Sequence, residues 1–536
     1  MKRKLLVTVS VIALAAAGAA IYAAPLMAEP DGPKDCGTLF RAGATAGPPA
    51  AASVPQPRWA QLGGTVNDAS CLSRTPVAGV VRPETDQQVT HALAYARAHG
   101  LAVSAAGVKH SMGGQAFTPS GMVLDMRGMN AIRLDPARRT VTVGAGATWH
   151  DIQNAIHPRF AVKAMQSTDI FSVGGSISVN AHGMDHRAGA LLGSIRSLRV
   201  MLADGSVVTA SPSENGELFR HVVGGYGLFG VILSAELEVV ENDIYRSKRA
   251  VIATRDFPSL FRKIESDPTV GLMYAHLSTA PGSLLDEALL YTYHKVPDAG
   301  LERAPLGEVA STKLRRLTVN LAKKGSFFRS AKWWTEKHLE HRFESCTVTR
   351  AQAMGDGEAC LVSRNDPMHD SVAYLRNALP AETDILHEYF VPRDKLMPFV
   401  EGMKRLFRAH DANILNVSIR AVDREDHALS YAPAPAFSVV LYLNQRTDAE
   451  GSRRMAALTS ALIDLSKANG GRFFLPYQLH YTPAQLEASY PEIGAFFAAK
   501  TRFDPESRFS NRWYEKYSGS FAAPLKPEGG PPPRSS

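Results

Sequence analysis

Two glycine-rich loops carrying polar side chains, AAGVKHSMGGQ at residues 105–115 and SVGGSISVNAHG at residues 172–183, constrain this chain more than any other feature. Such loops let backbone approach a ligand closely, and successive amides in them can face an anion. In the first, Gly107, Gly113 and Gly114 allow tight geometry around Lys109, His110, Ser111, Met112 and Gln115. In the second, Ser172, Val173, Gly174 and Gly175 lead into Ser176, Ser178, Asn180, His182 and Gly183, which supply hydrogen-bond partners. Alone, the first loop also fits an ordinary glycine-rich turn with a surface histidine. Together, two cradles separated by a hairpin and a helix suit one long ligand with a central diphosphate. No lysine-bearing P-loop and no GxGxxG opening a helix accompanies them, which sets aside a nucleoside triphosphate and NAD in a doubly wound fold. A third stretch, GGYGLFGVILSAELEVV, passes through Gly230, Val231 and Ile232 into a strand. It reads either as a contact to a ring edge or as a strand entry that needs small residues.

Around these loops, residues 79–241 alternate short β-type runs with turn signals. VAGVVRP is a strand, residues 86–99 repeat apolar positions at helical spacing and stop at Gly100, and LAVSAAG and MVLDM are further strands. AIRLD with TVTVGAG, and SLRVM with SVVTAS, form hairpins, the second turning at Asp204 and Gly205. This order predicts a mixed α+β domain. From Tyr245 onward, strands and helices recur around a basic insertion, and EYFVP, NVSIRAV and FSVVLYLNQ alternate polar with apolar residues. An antiparallel sheet backed by helices, its free face capping a neighbouring site, is the economical architecture.

The formal net charge of +8 includes Lys2, Arg3 and Lys4, which precede an uncharged stretch over residues 5–28. That is the grammar of an export signal, cleaved or kept as an anchor, and it sends the body out of the cytoplasm. The remaining excess of base is modest and comes with no nucleic-acid motif. Cys36, Cys71, Cys346 and Cys360 show no metal-site spacing. In an oxidising compartment Cys346 with Cys360 is the more natural disulfide, because it closes a short loop, while Cys36 and Cys71 fit either a second bridge or two thiols. The expected organisation is a signal peptide or membrane anchor at 1–28, a linker at 29–71, a ligand-binding domain at 72–242, a cap at 243–500 with a basic helical insertion near 305–345, a returning segment at 501–520 and a disordered tail at 521–536. Within the insertion, cations interleave with Trp333, Trp334 and phenylalanines. That composition suits a membrane surface or an aromatic face packed on the parent fold.

AGVKHSMGGQ, SVGGSISVNAHG and GGYGLFGVIL, in this order, resemble the FAD-binding domain of the vanillyl-alcohol-oxidase family, the PCMH type. FDPESRFSNRWYEKY, which contains Asn511, is similar to the ending of its aldonolactone and alditol oxidase branch. The resemblance implies a two-lobed FAD-binding domain, the cofactor FAD, and a covalent bond from His110 to the flavin 8-methyl carbon. It also implies a hydroxylated small-molecule substrate and an acceptor for the electrons, whether oxygen, a quinone or a protein. Hydride removal from a C–H bond is assisted by a base for the hydroxyl proton and a cation for the alkoxide. On the cap, Glu388 or His480 suits the first role and Arg420 the second, and each equally suits an interstrand bond or a surface ion pair. The functions that follow are oxidation of a polyol, sugar or sugar lactone, oxidation of a prenyl-phosphoryl sugar in envelope synthesis, or electron relay without a substrate.

Overall fold

The computed structural model describes residues 22–28, 54–297, 302–303, 305–307, 312–339, 361–369, 379 and 381–521. Most of the apolar leader, Cys36, Cys346, Cys360 and the tail beyond residue 521 lie outside them.

The first lobe is a four-stranded sheet in the order Trp59–Leu62, Gly79–Val81, Met122–Asp125, Val103–Ala106, with the last three parallel. Parallel neighbours need a crossover, and the helix Asp86–Ala98 supplies it, starting where the Thr85 side chain accepts from the Gln88 amide. The second lobe is antiparallel. Its strands run in the order Val207–Ala210, Ile195–Met201, Val231–Glu241, Thr140–Gly144, Ile132–Asp135, and Phe160–Val162 pairs with the far end of Val231–Glu241. Both expected hairpins are present, and Gly205 at the second turn has φ +90°, which a side chain would resist. Part of the stretch expected as a linker over 29–71 forms strands. Trp59–Leu62 joins the first sheet, and Trp59 meets Tyr95 edge to face at 5.7 Å. Four residues are too few for periodicity to announce a strand. Cys71 is disulfide-bonded, which settles the choice left open for it.

The cap is one eight-stranded sheet in the order Leu361–Ser363, Ile244–Ala253, Glu287–Lys295, Val270–Leu277, Asn413–Val422, Ala436–Arg446, Glu382–Pro392, Arg472–Phe473, antiparallel throughout. Strand alternation sorts its side chains. On Glu382–Pro392, Asp384, Leu386 and Glu388 face a cavity, whereas Tyr389 meets Phe399 of the helix Leu396–Ala409 at 5.8 Å. On Asn413–Val422, Asn416, Ser418 and Arg420 take the cavity side, and Val417 and Ile419 are fully buried in the core. The basic insertion contains the helices Thr312–Ala322 and Ser326–His338. It is tied to the sheet by Lys323, whose ammonium lies 2.6 Å from the Asp384 carboxylate with both groups buried, while Tyr442 and Asn444 donate to the same carboxylate.

The segment after residue 503 returns to the first sheet. Val103 donates to Arg508 O at 2.7 Å and accepts from Ser510 N at 3.1 Å. Asp504 organises this return: its carboxylate accepts from the Arg508 and Phe509 amides and pairs with buried Lys500 at 2.5 Å.

Candidate active site

The first glycine-rich loop leaves the strand Val103–Ala106 and turns through positive φ at Lys109, Met112 and Gly114. Such alternation makes concave arrays of amides. A Cβ on Gly107 would sit 1.8 Å from Ser172 Oγ, so the two loops touch there only because no side chain intervenes. Ser172 opens the short helix Val173–Ser178, whose first turn lies against Ala145. Together the loops form one wall of a cavity of about 1650 Å³ that extends to the cap sheet. That exceeds the ~300–1,000 Å³ of a single small-ligand pocket and leaves room for a dinucleotide with a second molecule beside it.

Of the residues expected to hold the cofactor, Gly107, Lys109, His110, Ser111, Met112, Gln115, Ser172, Gly174, Gly175, Ser176, Ser178, His182, Gly230, Ile232 and Asn511 line this cavity. The others stand behind it for identifiable reasons. The Gly114 amide donates to Asp68, and Gly113 backs onto the Tyr477 carbonyl. Val173 and Val231 are fully buried in hydrophobic clusters, and a Cβ on Gly183 would meet the Met165 carbonyl at 1.9 Å. Asn180 bonds Glu425 and the Leu192 amide, bracing the loop from the rear. Asn511 also caps the helix Arg512–Tyr517 and donates to Tyr226 O, joining the returning segment to the third glycine-rich stretch. His110 meets Phe171 edge to face at 5.0 Å.

The opposite wall is the cap sheet. Register aligns Glu388, Val440 and Ser418 across three strands, with Arg420 and Ser438 paired in the next row. Glu388 is 5% exposed and accepts from His182 Nε2 at 2.5 Å, from Ser438 Oγ at 2.6 Å and from the Tyr477 hydroxyl. Burial alone would raise its pKa. The His182 partner and the other donors outweigh that, with Arg420 adding to them, and the carboxyl titrates below its ordinary range. His182 Nδ1 is buried and has no hydrogen-bond partner among the described residues. Arg420 Nε is likewise buried without a partner, and burial lowers the guanidinium's pKa while Glu388 pulls it back up. Beside it, His276 is pushed down to about 3 by burial and by Lys332 and Arg420, which keeps it neutral. Tyr477 is raised well above the usual phenol range by burial and stays protonated.

His480 is not on the cavity wall. Its backbone bonds Gln478, and burial with Lys516 nearby lowers its pKa to about 4. Of the cap residues put forward from the sequence, Glu388 and Arg420 line the cavity, and the sequence reading misses the pairing of Glu388 with His182. It also misses Tyr477, Ser418, Tyr274 and His276, which join the wall through strand register and a loop. The alternation of Val270–Leu277 was the available signal for Tyr274 and His276.

Comparison with known proteins bears on what this cavity holds. Residues 77–211 match the family described as the FAD binding domain. The chain is 31% identical to the FAD-linked oxidoreductase fogF of Aspergillus ruber over 34% of its length and 36% of the relative's. It is 24% identical to decaprenylphosphoryl-beta-D-ribose oxidase of Mycolicibacterium smegmatis over 84% of its length and 95% of that protein. To cytokinin dehydrogenase 2 of Arabidopsis thaliana it is 28% identical over 37% of this chain and 40% of the relative. The first and third likenesses thus span well under half of the relatives' length, while the second runs nearly end to end.

Proposed function

We propose that the chain is a PCMH-type FAD-dependent oxidoreductase that oxidises a CH–OH compound of the polyol, sugar or sugar-lactone class between its cradle and its cap sheet. The observation that carries this reading is the buried group Glu388, His182, Arg420 and Tyr477 on the wall of the same cavity as the cradle. FAD, held by the 107–115 and 172–182 loops and Asn511, supplies a two-electron acceptor for a hydride when bound. The rest falls to the protein. Arg420 holds the substrate oxygen and stabilises negative charge developing on it. The His182–Glu388 pair takes the hydroxyl proton as one coupled unit. Tyr477, protonated throughout, donates and fixes the carboxylate's orientation. An electron-relay protein without a substrate has no use for such a buried charged group. Anaerobic mixing with polyols, sugars and lactones, read as loss of the flavin's visible absorbance, tests the proposal. A flavin-loaded protein that none of them reduces counts against it.

A second reading, oxidation of a sugar carried on a prenyl phosphate, is favoured by the outer end of the cavity. There Leu314, Val319 and Leu379 line the cavity together with Pro25 and Ala28 from the end of the apolar leader, with Arg315 and Lys332 on the same wall. The helix at residues 22–27 is held there by Asn320 and Arg316, which donate to Leu26 O and Met27 O. Outside, Leu314 is 51%, Trp334 56% and Phe327 77% exposed, an aromatic face among cations that suits a lipid surface. Faster reduction by a prenyl-phosphoryl sugar than by the free sugar supports this reading; equal rates oppose it.

Export accompanies both readings. The basic leader before an apolar run, and the disulfide at Cys71, support placing the body in an oxidising compartment. Alkaline phosphatase fused after Arg58 is expected to be active, and a stable but inactive fusion contradicts the orientation.

A further inference from the structure

We propose that His150, Asp169 and His369 form a site for one divalent cation of the Zn²⁺ class, which clasps two segments of the cavity wall from behind. The three come from a helix start, a loop and the strand-following segment 361–369, and their nearest ligand atoms lie within 4.8 Å of one another. His150 Nδ1 is 2.8 Å and His369 Nδ1 3.0 Å from the same oxygen, Asp169 Oδ2. The rings stack at 4.7 Å with an interplanar angle of 20°, so both imidazoles present the same nitrogen to one point. Two imidazoles and a carboxylate are the donors that Zn²⁺ accepts at ~2.0–2.2 Å, usually with water in a fourth position. Small outward shifts from hydrogen-bond separation make room for it. Ligation through Nδ1 requires each imidazole to carry its proton on Nε2, and no co-reactant is required.

Independent observations favour an ion over a simple hydrogen-bonded triad. Asp169 is 1% exposed, and its second oxygen has no hydrogen-bond partner among the described residues. Such an atom is costly unless something else uses the carboxylate's charge. Gln153 Oε1, 3.1 Å from His369 Nδ1, offers a further oxygen donor. The His150 side chain is 49% exposed, which gives a cation a way in and leaves a coordination position open to water.

The position of the cluster gives the ion a purpose. Gln166, Ser167, Thr168, Ile170 and Phe171 line the cavity, and Asp169 is the member of that run that does not. Pro367, two residues before His369, lines the cavity as well. The ion therefore joins the loop carrying Phe171, the neighbour of His110, to the segment by which the chain returns from the insertion.

The test uses flavin-loaded protein stripped with a chelator and titrated with Zn²⁺ by calorimetry, with metal content and Tm measured in parallel. The expected result is one Zn²⁺ per chain and a raised Tm. His150→Gln and His369→Gln should each weaken binding by more than the ~10–100-fold typical of losing an outer-shell partner. His150 is half-exposed, so its replacement leaves the core intact and the comparison interpretable. Absence of stoichiometric binding, an unchanged Tm, or equal binding by both variants and the wild type would overturn the proposal.

Discussion

His182 Nε2 and a carboxylate oxygen of Glu388 stand 2.5 Å apart across the seam between the flavin-binding domain and the cap, at 4% and 5% exposure. In the proposed reaction this pair takes the hydroxyl proton, and its two members come from different parts of the chain. Glu388→Gln keeps the shape and removes the charge, so kcat is expected to fall by ~10²–10⁴-fold, the usual worth of a positioned proton acceptor. FAD content should be unchanged. Because the folded-state pKa of Glu388 is depressed, its ionised form persists as pH falls past the usual carboxylate value of ~4.3. The acid limb of the kcat profile should therefore lie below that point in wild type. A limb above it, or a Gln variant with full activity, contradicts the assignment.

Arg420 and His480 are separated by the structure although the sequence proposed both. Arg420 lines the cavity with a buried Nε that has no hydrogen-bond partner among the described residues, and His480 lies off the wall. Arg420→Met is expected to lower kcat by about 10²–10³-fold, as for loss of an oxyanion donor, and Arg420→Lys to recover part of it. His480→Ala should leave kcat unchanged. The reverse pattern in steady-state kinetics removes Arg420 from the mechanism.

The difference between these two residues shows what the sequence could tell. Glu388 and Arg420 sit on long strands whose alternation fixes the face each presents, so the reading rests on a period. His480 belongs to a loop, where no period exists. The cradle was legible for a related reason: glycine clusters report close approach, as Gly107 against Ser172 demonstrates. Gly183 and Gly114 obey the same rule but approach the protein's own backbone and side chains, and sequence cannot tell those neighbours from a ligand. Contacts between distant segments left no local trace, which is why His182 with Glu388, and His150 with His369, emerge only from the fold.

Arg364 ties the segment returning from the insertion to the flavin lobe. Its guanidinium lies 2.5 Å from Asp185, donates to Lys163 O, and is 5% exposed. Asp185→Ala strands a buried cation and is expected to cost about 3–5 kcal/mol in denaturant unfolding. Burial works against the Asp185 carboxylate, but Arg364 lowers its pKa below the unfolded value. The stabilisation is therefore complete above the unfolded pKa of ~3.9 and lost as pH falls through the folded one. Wild type should lose stability with acid more steeply than the variant. Parallel pH dependences argue that the pair contributes nothing.

His110 lines the cavity inside a loop that turns through positive φ at Lys109 and Met112, and no hydrophobic cluster claims it. The resemblance read from the sequence implies that its imidazole is joined to the flavin. Such a bond replaces an N–H and a C–H of the 8-methyl group by N–C, releasing two protons and two electrons to the acceptor that serves turnover. Wild-type protein denatured in acid should then keep its yellow colour on the polypeptide, and the tryptic peptide containing His110 should be heavier by one FAD less two hydrogens. His110→Ala is expected to bind FAD through the remaining cradle and to release all of it on denaturation. A tethered flavin has a higher reduction potential and is the better hydride acceptor, so the variant should also reduce more slowly in the anaerobic assay. Complete release of FAD from acid-treated wild type would refute the bond and leave the cradle, the cofactor and the cap sheet as described.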